Sequence, residues 1–287
     1  MDILRKKLRS YLSLIKSLQT TLLLITGLAG FMSSRCPWLN LSTTLAVAGS
    51  LFLAISGSTI LNMWYDRDID AKMKRTCKRP LITGKLSPRE VLILGIALSV
   101  LGVGWALSMD LLYGTIVFAG LFFDALIYTI WLKRRTAWSI VWGGLAGGMP
   151  VLAGRALGVG TIDWVGIMLA LAVLFWIPTH ILTFSLRYRA DYEQAGIPTF
   201  PSTYGAKTTR RVIAISSVLA SISMALGSLG VGMTIGYMRL IIVLSAGLLM
   251  LAAGTFMRPS DRLNFGLFKY ASLYMLSIML LLAAEAF

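Results

Sequence analysis

At 287 residues, 57% hydrophobic and only 14% charged, the chain is too apolar for a soluble domain, where about 45–50% apolar and about 25% charged residues are usual. A soluble fold of this composition would expose large apolar patches, so a bilayer is the expected solvent. The net charge of +15 would suit nucleic acid, but its placement along the chain excludes that partner.

Residues 1–17 carry Arg5, Lys6, Lys7, Arg9 and Lys16 among Leu4, Leu8, Tyr11, Leu12 and Ile15. The helical spacing predicts an interfacial amphipathic helix, with a plain basic tail as the alternative and no cleavable leader. Residues 18–287 then read as one domain of apolar spans near 18–34, 42–65, 90–109, 111–131, 138–157, 164–188, 210–232, 236–257 and 265–287. Each approaches the ~20 residues that a membrane helix needs. The expectation is an all-α polytopic membrane protein of nine transmembrane helices. The fifth span is the weakest, because Gly143, Gly144, Gly147, Gly148 and Pro150 interrupt it; such residues are tolerated where neighbouring helices approach closely.

The basic residues orient the chain. With the N-terminus cytoplasmic, all but three of the 27 Lys and Arg, the exceptions being Arg35, Arg155 and Arg239, fall on the inner side. This obeys the positive-inside rule and faces the charge toward anionic lipid headgroups and cytosolic anions. In a prokaryote the membrane is the plasma membrane. Cys36 and Cys77 fall on opposite sides, so no disulfide is expected.

Two inner segments carry the chemistry. Span 2 ends in Asn62-Met-Trp-Tyr-Asp66-Arg67-Asp68-Ile69-Asp70. Steps of four advance 40° on a helix, so Asn62, Asp66 and Asp70 share a face about 80° wide. Three oxygen-bearing side chains on one face suit Mg²⁺, which completes its shell with water and phosphate. A solvated helix end is the alternative, but carboxylates at a helix C-terminus oppose the dipole, and a bound cation offsets that. Lys72, Lys74, Arg75, Lys78, Arg79 and Lys85 follow. Cations beside carboxylates are the pairing that a magnesium-bound diphosphate requires.

Span 6 ends with His180, the sole histidine, then Arg187-Tyr188-Arg189-Ala-Asp191-Tyr192-Glu193, with Gly196, Pro198 and Pro201 breaking the chain beyond. Asp191 puts a second acidic group on the same membrane face. His180 is either a core histidine or a contact to the acceptor, as a metal or porphyrin ligand. Tyr128 with Lys133 and Arg134 ends span 4; that group either lines the same pocket or stops the span at the membrane surface.

These stretches resemble the UbiA-type intramembrane prenyltransferases, whose first motif, Asn-x₃-Asp-x₃-Asp, is matched by Asn62, Asp66 and Asp70. Within that superfamily the long run to Gly84, Tyr128-Thr with Lys133-Arg-Arg-Thr136, and Asp191-Tyr-x₂-Ala-Gly-Ile-Pro198 are similar to the heme O synthase (protoheme IX farnesyltransferase) subgroup. Ala195 stands where the general second motif has a further Asp, and Ala137, Ile181 and Leu182 depart from the heme-type pattern.

The resemblance implies Mg²⁺-dependent transfer of a prenyl group, farnesyl for this subgroup, from an isoprenyl diphosphate to a hydrophobic acceptor, heme B giving heme O. It implies metal and catalytic roles for Asn62, Asp66, Asp70 and Asp191. Diphosphate contacts are expected from Arg67, Lys72, Arg75, Arg79, Lys133, Arg134 and Arg189, and acceptor contacts from Tyr128, His180 and Tyr188. A quinone ring, a lipid alcohol or a chlorin is the alternative acceptor. Transport of an anionic metabolite is the rival class, disfavoured because the acids cluster at one membrane face.

Overall fold

The computed structural model describes residues 9–35 and 40–285. Among them every regular element is helical: α1 (9–14), α2 (Ser17–Met32), α3 (Leu41–Tyr65), the short α4 (Arg67–Lys72), α5 (Pro88–Met109), α6 (Leu111–Leu121) running into a π-helix, π1 (Phe122–Leu132), α7 (Ser139–Val159), α8 (Trp164–Arg187), the short α9 (Arg189–Gln194), α10 (Phe200–Val231), α11 (Ile235–Met257) and α12 (Asp261–Ala284). Eight of these helices, counting α6 with π1 as one, are long and apolar enough to cross a membrane. The 16-residue α2 is shorter. The protein is a multi-pass integral membrane protein.

Polar side chains begin these helices. Asn40 accepts from the Thr43 amide at 2.7 Å, Asp110 from Tyr113 at 2.8 Å, Asp163 from Gly166 at 2.8 Å and Ser260 from Leu263 at 3.1 Å. Each satisfies an amide that the helix leaves unpaired. Gly160 and Gly232, both left-handed, end α7 and α10.

Successive long helices pack side by side, and α12 returns to α2, closing a ring; α2 against α7 and α8 against α12 brace it across the middle. The glycines that made span 5 look weak are what allow this. A β-carbon on Gly154 would lie 2.0 Å from the Gly27 carbonyl oxygen, and one on Gly30 2.1 Å from that of Val151. Backbones of α2 and α7 therefore touch directly, and α7 is continuous and the most buried of the long helices.

Two further differences from expectation have local causes. The span expected from 210 starts at Phe200, because Thr199 and Ser202 form a capping box; Gly205, at φ 78° and ψ 163°, then kinks it. Of the amphipathic segment expected over 1–17, residues 1–8 lie outside the described residues, as does Cys36. Residues 9–15 dock on the bundle, with Leu14 fully buried against Ile60, Met63 and Leu86.

Candidate active site

A cavity of about 730 Å³ opens among α2, α3, π1, α7 and α8, within the ~300–1,000 Å³ usual for ligand sites. Its inner walls are apolar, with Leu51, Val117, Met149, Pro150 and Ile177. Its polar end holds Asn62, Asp66, Asp70, Arg75, Arg79 and Lys133. An amphipathic molecule with an anionic head and a hydrocarbon tail fits this polarity.

The polar end is built as a ladder between α3 and the chain running out of π1. Ser58 donates to Asp124 at 2.5 Å, the Asn62 amide donates to Thr129 Oγ1 at 2.8 Å, and Lys133 pairs with Asp66. On α3 the rungs are four residues apart, one α-turn. On the other side Asp124 and Thr129 are five apart, which α-winding would rotate off the contact face. The π-winding keeps both in register, and Thr129 Oγ1 donates back to the Asp124 carbonyl across those five residues at 2.7 Å. π-Turns recur at functional sites.

Asp66 and Asp70 are 2% and 6% exposed. Carboxylates so buried require partners. Asp70 takes Arg79 and Asp66 takes Lys133. One oxygen of Asp66, Oδ1, is buried with no hydrogen bond, and the Arg134 guanidinium stands 3.8 Å from it. Among the described residues no three His, Cys, Asp or Glu converge into a complete metal cage. The donor set is instead an incomplete oxygen shell with one orphaned carboxylate oxygen, which fits a hard divalent ion that keeps water and phosphate as its other ligands.

The second acidic segment lies against the first. Ile69 and Met73 beside α4 pack with Ala195 and Ile197 after α9, under Tyr192. Tyr192, Ile197 and Pro198 line the cavity, whereas Asp191 is half-buried and stands outside its lining.

The expected cations divide. Arg75, Arg79 and Lys133 line the cavity. Arg134 grips Asp68 with two bonds of 2.8 Å, which holds the Asp68 carboxyl below the usual carboxylate range. Arg67 lies off the cavity, because its guanidinium donates to the Trp64 carbonyl at 2.8 Å and covers the Trp64 ring. Arg189 is turned to Glu193 on its own helix turn, at 2.6 Å, and Lys72 is exposed.

Of the expected acceptor contacts, Tyr128 and His180 line the cavity. The His180 ring is stacked between Trp176 and Phe268, with centroids 5.0 and 4.4 Å away, and its Nδ1 meets Ser272 Oγ at 3.2 Å. Tyr188 is off the lining; its ring is tilted at 42° against Phe184, centroids 4.5 Å apart, with the Arg75 guanidinium over it.

Two cavity residues escaped the sequence reading. Lys16, assigned there to a surface helix, is the left-handed N-cap of α2 (φ 48°) and faces into the cavity. Burial, then the charges of Arg79 and Lys133, pull its ammonium down to about 8. Asp124 is a carboxylate inside a span, a position that is costly and by default functional; that cue was available.

A multi-pass helical bundle enclosing a greasy chamber, with carboxylates and cations at one end, is the architecture of an intramembrane enzyme. The chain belongs to the UbiA prenyltransferase family, whose model matches residues 23–278, and is a prenyltransferase. It is 42% identical to protoheme IX farnesyltransferase of Archaeoglobus fulgidus over 84% of each chain, and 36% identical to that of Granulibacter bethesdensis over 96% of this chain and 90% of the other. It is 37% identical to the Thermus thermophilus protein over 97% of its own length, but spans only 45% of that longer relative.

Solved structures agree in fold. A digeranylgeranylglyceryl phosphate synthase superposes with a TM-score of 0.80 at 21% identity, covering 98% of this chain and 99% of the other. A UbiA homolog from Archaeoglobus fulgidus bound to GPP and Mg²⁺ gives 0.74 at 18% identity, covering 96% and 99%.

Proposed function

We propose that the protein transfers farnesyl from farnesyl diphosphate to heme B, giving heme O, at the cytoplasmic face and with Mg²⁺. The observation that carries this reading is the pairing of two buried carboxylates, Asp66 and Asp70, with cations at the mouth of an otherwise apolar cavity. The relatives' names supply the donor and acceptor, and a related structure holds a prenyl diphosphate with Mg²⁺.

Asn62, Asp66 and Asp70, with Asp191 from the adjoining segment, hold the metal. When bound, Mg²⁺ supplies Lewis-acid stabilisation of the departing diphosphate. Arg75, Arg79, Lys133 and Arg134 hold the phosphoryl oxygens and stabilise charge as the allylic C–O bond stretches. Lys16 belongs to this group: Arg79 and Lys133 are each engaged by a carboxylate, whereas Lys16 adds a charge from the start of α2. The apolar walls take the prenyl chain and keep water from the allylic cation. The Trp176–His180–Phe268 stack, with Tyr128, offers a flat aromatic surface for a porphyrin.

Transport is disfavoured by the far end of the bundle. There Arg155, only 8% exposed, is held by Asp163 at 2.7 Å and by the Ser33 carbonyl at 2.7 Å, which ties α2, α7 and α8 together.

Purified protein incubated with Mg²⁺, farnesyl or geranylgeranyl diphosphate, and heme B, a phenol or a lipid alcohol tests this by product mass. The expected product is farnesylated heme. Prenylated phenol or lipid with untouched heme would replace the acceptor, and no prenylated product at all would refute the reading.

A further inference from the structure

Asp124 has no part in the donor chemistry just described, yet it lies in the wall of the same cavity. Its α3 partner, Ser58, stands eight residues before Asp66, about 12 Å deeper along the helix axis. It is thus a carboxylate set in the hydrocarbon-lined part of the chamber, below the diphosphate end. Its side chain accepts the short 2.5 Å bond from Ser58, and its backbone carbonyl accepts from Thr129. The charges that act on it are Lys16 at the start of α2, Lys133 beyond π1, and Asp66 on α3. Neither cation forms an ion pair with it, since Lys133 is bound to Asp66. A carboxylate placed among hydrocarbon walls is costly, and Asp124 stands four residues before Tyr128 on the same π-helix, both lining the cavity, next to a residue expected to meet the acceptor.

Prenyl transfer leaves a proton to be removed. The allylic C–O bond breaks with its electron pair going to diphosphate, and the acceptor's π or lone pair forms the new bond to the prenyl carbon. A phenol or alcohol then sheds its own proton. A vinyl group becomes a cation that is discharged by losing a proton or by adding water that loses one. In every case one proton leaves for each diphosphate released, in a chamber whose inner walls are apolar. We propose that Asp124 is the catalytic residue that takes this proton, with Ser58 and the π-wound backbone fixing its carboxylate toward the acceptor. The proposal rests on the prenyltransferase reading above and adds the acceptor half of its chemistry.

The test separates the two halves. Binding of farnesyl thiodiphosphate with Mg²⁺ reports the donor site. Product formation is then measured with whichever of heme B, a phenol and a lipid alcohol the wild type prenylates. Asp124→Asn keeps a hydrogen-bonding partner for Ser58 and is expected to bind the thiodiphosphate within threefold of wild type, while forming product about 10²–10⁴-fold more slowly, the range for loss of a general base. Asp124→Gly is expected to regain rate in proportion to added formate, which a purely structural role would not give. Product formation by Asp124→Asn within threefold of wild type overturns the proposal, and so does an Asp124→Gly variant indifferent to formate. A wild type that binds no thiodiphosphate or prenylates none of the three acceptors overturns the underlying reading, and this proposal with it.

Discussion

Asp66 is the residue on which the donor site turns, buried to 2% with one oxygen on Lys133 and the other without a hydrogen bond. Asp66→Ala removes a proposed metal ligand and leaves Lys133 without its carboxylate. Magnesium-dependent diphosphate release is expected to fall by at least about 10²–10³-fold, the scale seen for one electrostatic group at a reacting centre; full activity in that variant would remove Asp66 from the site. Lys16 gives a pH signature. Its ammonium is charged below about 8 and neutral above, and an anionic diphosphate favours the charged form. Donor affinity is therefore expected to weaken as pH rises through and beyond 8, since bound anion shifts the titration upward. Lys16→Arg keeps its charge and is expected to flatten that dependence in a titration of farnesyl thiodiphosphate between pH 7 and 10.

At the scale of elements, what the sequence disclosed and what it hid have separate physical causes. The four-residue spacing of Asn62, Asp66 and Asp70 was legible as one helical turn per step, although α3 ends at Tyr65 and Asp70 lies in α4, with Asp66 (φ −85°, ψ 8°) at the joint between them. Asp124 carried a cue as a charge within a span, but its alignment with Ser58, like that of Thr129 with Asn62, depends on π-winding, which leaves no mark in an apolar periodicity. Lys16 was hidden by its left-handed backbone at a non-glycine position; that turn takes it off the basic face of the segment and into the cavity. The glycines of α7 read as weakness but are contact points. Gly154→Ala sets a β-carbon against backbone of α2 on two sides, 2.0 Å from the Gly27 oxygen and 2.8 Å from the Phe31 nitrogen, and neither yields as a side chain would. Overpacking of this kind costs about 1–3 kcal/mol or more. Its thermal unfolding in detergent is expected to shift down, whereas Gly104→Ala, with open space around the new methyl, is expected to unfold at or above the wild-type temperature.

The whole molecule is a ring of helices whose two ends differ. The Arg155–Asp163–Ser33 contact and the 2.9 Å pair of Arg35 with Glu285 tie helix ends together opposite the Asp66 end. At the active end α4 and α9, from different halves of the chain, meet through Ile69, Met73, Ala195 and Ile197. Hydropathy and charge made the all-helical membrane class and the position of most spans legible, since each is set by composition over ~20 residues. The meeting of α4 with α9 was only implied, because contacts distant in sequence carry no periodic signal. Asp191, on α9, stands outside the cavity lining.

The direct measurement is calorimetric titration of farnesyl thiodiphosphate, with and without Mg²⁺, into wild type, Asp70→Asn and Asp191→Asn. If both acidic segments grip one metal–diphosphate, wild type gains at least tenfold in affinity with Mg²⁺ and each variant loses most of that gain. An Asp191→Asn protein that keeps the full magnesium-dependent gain would contradict the shared site and leave α9 a structural neighbour only.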